Sequence, residues 1–150
     1  MSDSFHVSLT RLDGYRFQVE LGDGLAPLVV DEGPPLGQNA GPNPTRTLAT
    51  AVGHCLSASL IFALGKSRVA VHSLTTRASG TLVRNAEKRL RIGRIDVVLV
   101  LGLDPADQER AREPLKRFED FCTVTASVRQ GLPVGVRVES PGGELLHANG

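Results

Sequence analysis

Apolar and polar residues alternate from the start of the chain. Phe5, Val7 and Leu9 interleave with His6, Ser8 and Thr10, and Tyr15, Phe17, Val19 and Leu21 interleave with Arg16, Gln18 and Glu20. A period of two predicts a pair of half-buried strands. Asp13-Gly14 between them supplies the positive φ that a tight hairpin requires. A Gly-Asp-Gly turn at 22–24 leads to a short third strand, Leu28-Val29-Val30. Residues 5–30 thus predict an antiparallel meander with one apolar face.

The pattern changes abruptly over 31–44, where DEGPPLGQNAGPNP holds four prolines and three glycines. Thirty residues are few for an independent core. The segment is therefore expected to be a structured loop that wraps and positions a helix entrance, rather than a flexible linker. From Thr45 to Gly65 comes a helix-compatible run in which Arg46 is the one fully charged residue. On a helical net Cys55 shares a face with Leu48, Ala51, Val52, Ala58, Ser59 and Phe62, while Thr47, Thr50, His54 and Ser57 form a polar ridge. Gly65, with Lys66 and Arg68 nearby, is the expected helix stop. The run has the length of a membrane span, but seven interruptions (Arg46, Thr47, Thr50, Gly53, His54, Ser57 and Ser59) favour a buried core helix.

Further on, 69–103 predicts a hairpin. One strand runs from Val69 to Arg84 with a kink at Gly80, and a turn spans Asn85–Lys88. The returning strand places Ile95, Val97, Leu99, Leu101 and Leu103 on one face. Asp104-Pro105 pairs an N-cap with a proline at the first helical position. It opens a second helical region, 105–122, that carries Ala111, Leu115, Phe118 and Cys122 and that Pro114 should break or kink. Val134, Val136 and Val138 mark a final strand over 133–140, and Pro141-Gly142-Gly143 begins a short tail.

Composition adds limits. The chain has 150 residues, 41% hydrophobic and 22% charged, the proportions of an ordinary soluble globular protein and the size of a single domain, 1–150. Residues 1–44 carry six acids and two bases, and the remainder ten acids and fifteen bases. Arg84, Lys88, Arg89, Arg91 and Arg94 cluster on the hairpin without interleaved aromatics, so the cluster reads as a solvated face and no nucleic-acid partner is expected. Two cysteines 67 residues apart form neither a CxxC motif nor a disulfide scaffold, and no signal-peptide pattern precedes residue 20. A reducing, cytoplasmic setting is the expectation, with no membrane partner.

Candidate chemistry centres on Cys55. A cysteine on a buried helix is commonly a small hydrophobe. To react as a thiolate, Cys55, three turns into its helix, needs a cation or hydrogen-bond network supplied from elsewhere. His54 diverges from it by about 100° and is a poor general base. Cys122 is the partner to test, provided the two Cα atoms come within about 7 Å. His6, His72 and His147 show no metal-ligand spacing with the cysteines, so neither metal nor cofactor is expected.

The segments DEGPPLG, GPNPTRTLATAVGHCLSASL and FEDFCTV, in that order, resemble the OsmC/Ohr family of osmotically inducible and organic hydroperoxide resistance proteins. The resemblance covers roughly Tyr15 to Glu139. It implies an α+β OsmC-like fold, with antiparallel sheets packed around a long buried cysteine-bearing helix and a second helical region, assembled as an intertwined homodimer. It also implies a cysteine-dependent peroxidase: Cys55 attacks an organic hydroperoxide, Cys122 resolves the product as a disulfide, and a dithiol reductant of the lipoyl type regenerates the pair. Two family positions differ. Thr45 follows the Asn-Pro where the family carries glutamate, and Gly22-Asp23-Gly24 fills the loop where it carries arginine. Asp31, Glu32, Arg16 and Arg129 are the charged residues available to substitute. These departures keep open the alternative of a non-catalytic dimer that binds an apolar small molecule between subunits.

Overall fold

The computed structural model describes residues 4–150, and the chain resolves into two compact units, one up to Leu48 and the other Ala49–Gly150.

The first unit holds a three-stranded antiparallel sheet in the order β1 (Ser8–Asp13), β2 (Arg16–Glu20), β3 (Leu28–Val30). The turns form where expected, with positive φ at Gly14, Gly22, Asp23 and Gly24. The expected half-burial is confined to β2 and β3. β1 is exposed along its whole length, and Phe5, 90% exposed, lies ahead of it. The Pro/Gly-rich segment is an ordered loop organised by Asp31. Its buried carboxylate accepts backbone N–H bonds from Glu32 (2.8 Å), Gln38 (3.0 Å) and Ala40 (3.1 Å). Two glycines permit this path: a Cβ on Gly37 would lie 2.2 Å from the Glu32 carbonyl oxygen, and one on Gly41 1.9 Å from that of Val29.

The long helix α1 spans Pro44–Lys66. Asn43 caps it by accepting from the Arg46 N–H at 3.0 Å, with Pro44 pre-set for the first helical position. Its C-terminus differs from expectation. Gly65 is helical, and Arg68 takes the left-handed conformation at φ 56°. The Val69 N–H bonds to Leu64 O and the Arg68 N–H to Gly65 O, each at 3.0 Å, which is the double closure of a Schellman end. Leu64 and Val69, which flank this closure, are both buried. By length and composition α1 could cross a membrane, yet Val52, Gly53, Leu56, Ser59, Leu60, Ala63 and Leu64 are buried against protein.

The second unit is built on a four-stranded sheet ordered β4 (Val71–Arg84), β5 (Leu90–Leu103), β6 (Val134–Glu139), β7 (Leu145–Asn149). Ile95, Val97, Leu99 and Leu101 of β5 and Val134, Val136 and Val138 of β6 supply its buried face. The sheet is antiparallel except between β5 and β6, which pair in parallel from Ile95↔Val134 to Val100↔Glu139. Parallel neighbours need a crossover, and the helical stretch between them provides it. The expected kink beside Gly80 is a bulge at the next step: Thr81 pairs Arg94 while Leu82 pairs Ile92, leaving Gly93 as the extra residue. A Cβ on Gly93 would meet Val83 at 2.7 Å. The expected tail after Pro141-Gly142-Gly143 is instead the edge strand β7.

The crossover begins with a 3-10 turn, Pro105–Asp107, capped by the Asp104 carboxylate. α2 follows over Gln108–Arg117. Pro114 does not break it, since only its bond to the Arg110 carbonyl is lost, but the coil tightens soon afterwards into a second 3-10 turn, Phe118–Phe121. Cys122 ends that turn and starts α3, Thr123–Val128, so the helical region runs past the cysteine rather than stopping there.

Candidate active site

Cys55 and Cys122 meet. Their sulfurs are 2.8 Å apart, with both residues unbridged. α1 delivers Cys55 from the margin of its buried stripe, between buried Val52 and Ser59 on one side and exposed Ala51, Ala58 and Phe62 on the other, so the thiol is only half-buried. The crossover delivers Cys122 from the junction of two helical turns, where its N–H bonds to Glu119 O and its carbonyl accepts from Ala126, each at 3.0 Å. Its side chain is 1% exposed.

The two thiols are therefore unequal. Burial pushes the Cys122 thiol up, the adjacent Cys55 pushes it further, and hydrogen bonds with Thr125 offset part of the rise. Cys122 stays a protonated donor whose S–H can point at Cys55 Sγ or at Thr125 Oγ1, 2.9 Å away. Thr125 is itself fully buried. A thiol donor is a group that a sulfur anion at position 55 could use.

Beside the sulfurs the same two segments touch again. Phe62, two turns beyond Cys55, and Phe121, immediately before Cys122, stack edge-to-face with centroids 5.3 Å apart. The Lys66 ammonium lies 4.9 Å from the Phe62 centroid and 5.4 Å from that of Phe121. Both rings remain about half exposed, at 51% and 46%. They place exposed apolar surface on the same two segments that carry the thiols.

Behind Cys122 lies a polar hub assembled from residues far apart in the chain. The Glu119 carboxylate, 10% exposed, accepts from Arg129 Nη2 at 2.5 Å and Asn149 Nδ2 at 3.2 Å, and pairs with His147 Nε2 at 2.8 Å. Arg129 also donates to the Val134 carbonyl at 3.2 and 3.0 Å. Burial alone would raise the Glu119 carboxyl, but the bonds from His147 and Arg129, the Arg129 charge and Asn149 outweigh it and hold the group below the usual carboxylate value. Sequence reasoning misses this hub because its signal is faint: a charged pair, Glu119-Asp120, between two phenylalanines, and a weak alternation in Leu145–Asn149.

The other sequence candidates are engaged elsewhere. Thr45 spends its hydroxyl on Asn43 Oδ1 at 3.0 Å, inside the helix cap. Arg16 pairs with Asp13, and Asp31 is held by backbone amides that keep its carboxyl low, those of Gln38 and Ala40 foremost. Arg129 belongs to the hub, and His54 is exposed. Among the described residues no three His, Cys, Asp or Glu side chains converge as a metal site.

The chain is similar in fold to several solved structures. An OsmC-like protein from Mycoplasma pneumoniae superposes with a TM-score of 0.77 at 13% identity, covering 93% of this chain and 99% of that one. An organic hydroperoxide resistance protein from Legionella pneumophila gives 0.66 at 18%, covering 90% and 96%. The organic hydroperoxide resistance protein OhrB of Bacillus subtilis gives 0.62 at 18%, covering 91% and 98%. No curated protein matches the sequence. Residues 37–137, which include the end of the loop that leads into α1, all of α1, both cysteines, β5 and the start of β6, match the family described as OsmC-like protein, and the chain belongs to that family.

Proposed function

We propose that this protein is a thiol-dependent peroxidase acting on organic hydroperoxides, working as a homodimer in the cytoplasm. The observation that carries the reading is the 2.8 Å contact between a half-buried Cys55 and a buried Cys122. In this mechanism the Cys55 thiolate attacks the terminal peroxide oxygen. An S–O bond forms, the O–O bond breaks, and the alkoxide leaves and takes a proton as the alcohol. The Cys122 sulfur then attacks the Cys55 sulfenic acid. An S–S bond forms, and hydroxide departs with the Cys122 proton as water. An external dithiol, of lipoyl or similar chemistry, opens the disulfide by exchange and leaves as its own cyclic disulfide. Phe62 and Phe121, on the segments that carry the two thiols, offer half-exposed apolar surface suited to an alkyl group.

Dimerisation is supported by apolar side chains that the single chain leaves exposed. In the second unit these include Ile61 on α1 and Leu82, Val83 and Leu90 at the end of the β4–β5 hairpin. β6 pairs β5 only over Ile95–Val100, so that hairpin end is a two-stranded ribbon, a form marginal in water by itself.

A second reading, a dimer that binds an apolar small molecule without turning it over, draws support from Thr45. Its hydroxyl is committed to Asn43 and brings no carboxylate to the family's glutamate position. The two readings separate in one assay, consumption of an alkyl hydroperoxide with a dithiol reductant. Catalytic turnover by the wild type and none by Cys55→Ser supports the peroxidase. No turnover by the wild type, or full activity in Cys55→Ser, rejects it.

A further inference from the structure

Cys122 lies between two short turns, a segment with little helical stiffness of its own. What fixes it is the chain behind it. Glu119, three residues earlier, is bound to Cys122 through the backbone bond between its carbonyl and the Cys122 N–H. Its carboxylate gathers Arg129 from beyond α3 together with His147 and Asn149 from β7, and Arg129 ties the start of β6 through the Val134 carbonyl. The Phe118 ring, fully buried, packs edge-to-face on His147 at 5.4 Å. Cys55 arrives on a separate element, α1.

We propose that Glu119 is a positioning residue: by tying the Phe118–Phe121 turn to β6, β7 and the end of α3, it holds the Cys122 sulfur against Cys55 and sets the speed at which the two close into a disulfide. Its role in a peroxide cycle rests on the peroxidase reading above, but its role in disulfide closure does not.

The test uses an aromatic disulfide, dithionitrobenzoate, as the probe on the reduced full-length protein. The Cys55 sulfur attacks it and releases one thionitrobenzoate. Cys122 then attacks the Cys55 sulfur of the mixed disulfide, gives up its proton to solvent, and releases the second. The two releases are separate optical phases. In Glu119→Gln the first phase should match wild type, and the second should slow by about tenfold or more, as a displaced thiol loses effective concentration. The Cys55–Cys122 reduction potential should become less negative, by about 30 mV for a tenfold loss. Glu119→Asp should recover part of both. If Glu119→Gln does not fold, Asn149→Ala, which removes two of the bonds to the carboxylate at an exposed site, should slow the second phase by about two- to threefold with the first unchanged.

A second phase of wild-type speed in whichever variant folds overturns the proposal. So does equal slowing of both phases, the mark of general loosening. Normal two-phase exchange in a wild type that consumes no hydroperoxide would reject the peroxidase and leave the positioning role standing.

Discussion

Cys122 and Cys55 differ in exposure, and the proposed mechanism gives them different roles. If Cys122 resolves, Cys122→Ser should still be oxidised once at Cys55. The sulfenic acid should then persist long enough for dimedone to trap it, and turnover with dithiol should fall by about tenfold or more, since no external thiol matches one held at contact. The raised Cys122 thiol also predicts a pH dependence. A group whose folded value lies above its unfolded 9.0 supports the folded state below pH 9.0, and that support is withdrawn as pH rises through 9.0 toward the folded value. The urea midpoint of the reduced protein should therefore fall above pH 9, and the fall should be smaller in Cys122→Ser. Glu119 works in the opposite sense. Its folded value is lowered, so its contribution is present above the ordinary 4.5 and is lost as pH falls below it.

Elements whose role is written in a local period are legible in the sequence. The alternation of Ile95 to Leu101 marks the buried face of β5, and Cys55 sits on the helix that the Pro-Asn-Pro entrance announces. Contacts between residues far apart leave little trace. Nothing in Leu145–Asn149 says that it pairs with β6, or that His147 reaches Glu119 28 residues earlier. Gly65 reads as a helix stop because glycine usually is one, but the chain turns instead at a left-handed Arg68, where backbone bonds from Arg68 and Val69 close the helix. The parallel β5–β6 pairing is hidden because a valine run fits either direction. At this scale Leu60→Ala, on the buried side of α1, should destabilise the protein by about 2–5 kcal/mol in urea denaturation. Asp31→Asn should leave the sheets intact while hydrogen exchange speeds up at the Gln38 and Ala40 amides, because a neutral amide is a weaker acceptor than a carboxylate.

For the molecule as a whole, the proposed dimer makes a prediction. The protein should sediment at twice the chain mass, and Leu82→Glu with Leu90→Glu should shift it toward monomer and lower its thermal midpoint. A monomer at micromolar concentration would contradict the dimer. The thiol chemistry does not depend on that outcome, because both sulfurs belong to one chain. It is tested most directly by intact-mass and thiol-mapping measurement of the reduced wild type after one equivalent of an alkyl hydroperoxide. Loss of two hydrogens, with Cys55 and Cys122 joined within one chain and one equivalent of alcohol formed, is the predicted result. Free thiols with the peroxide intact, or a disulfide joining cysteines of different chains, would contradict it.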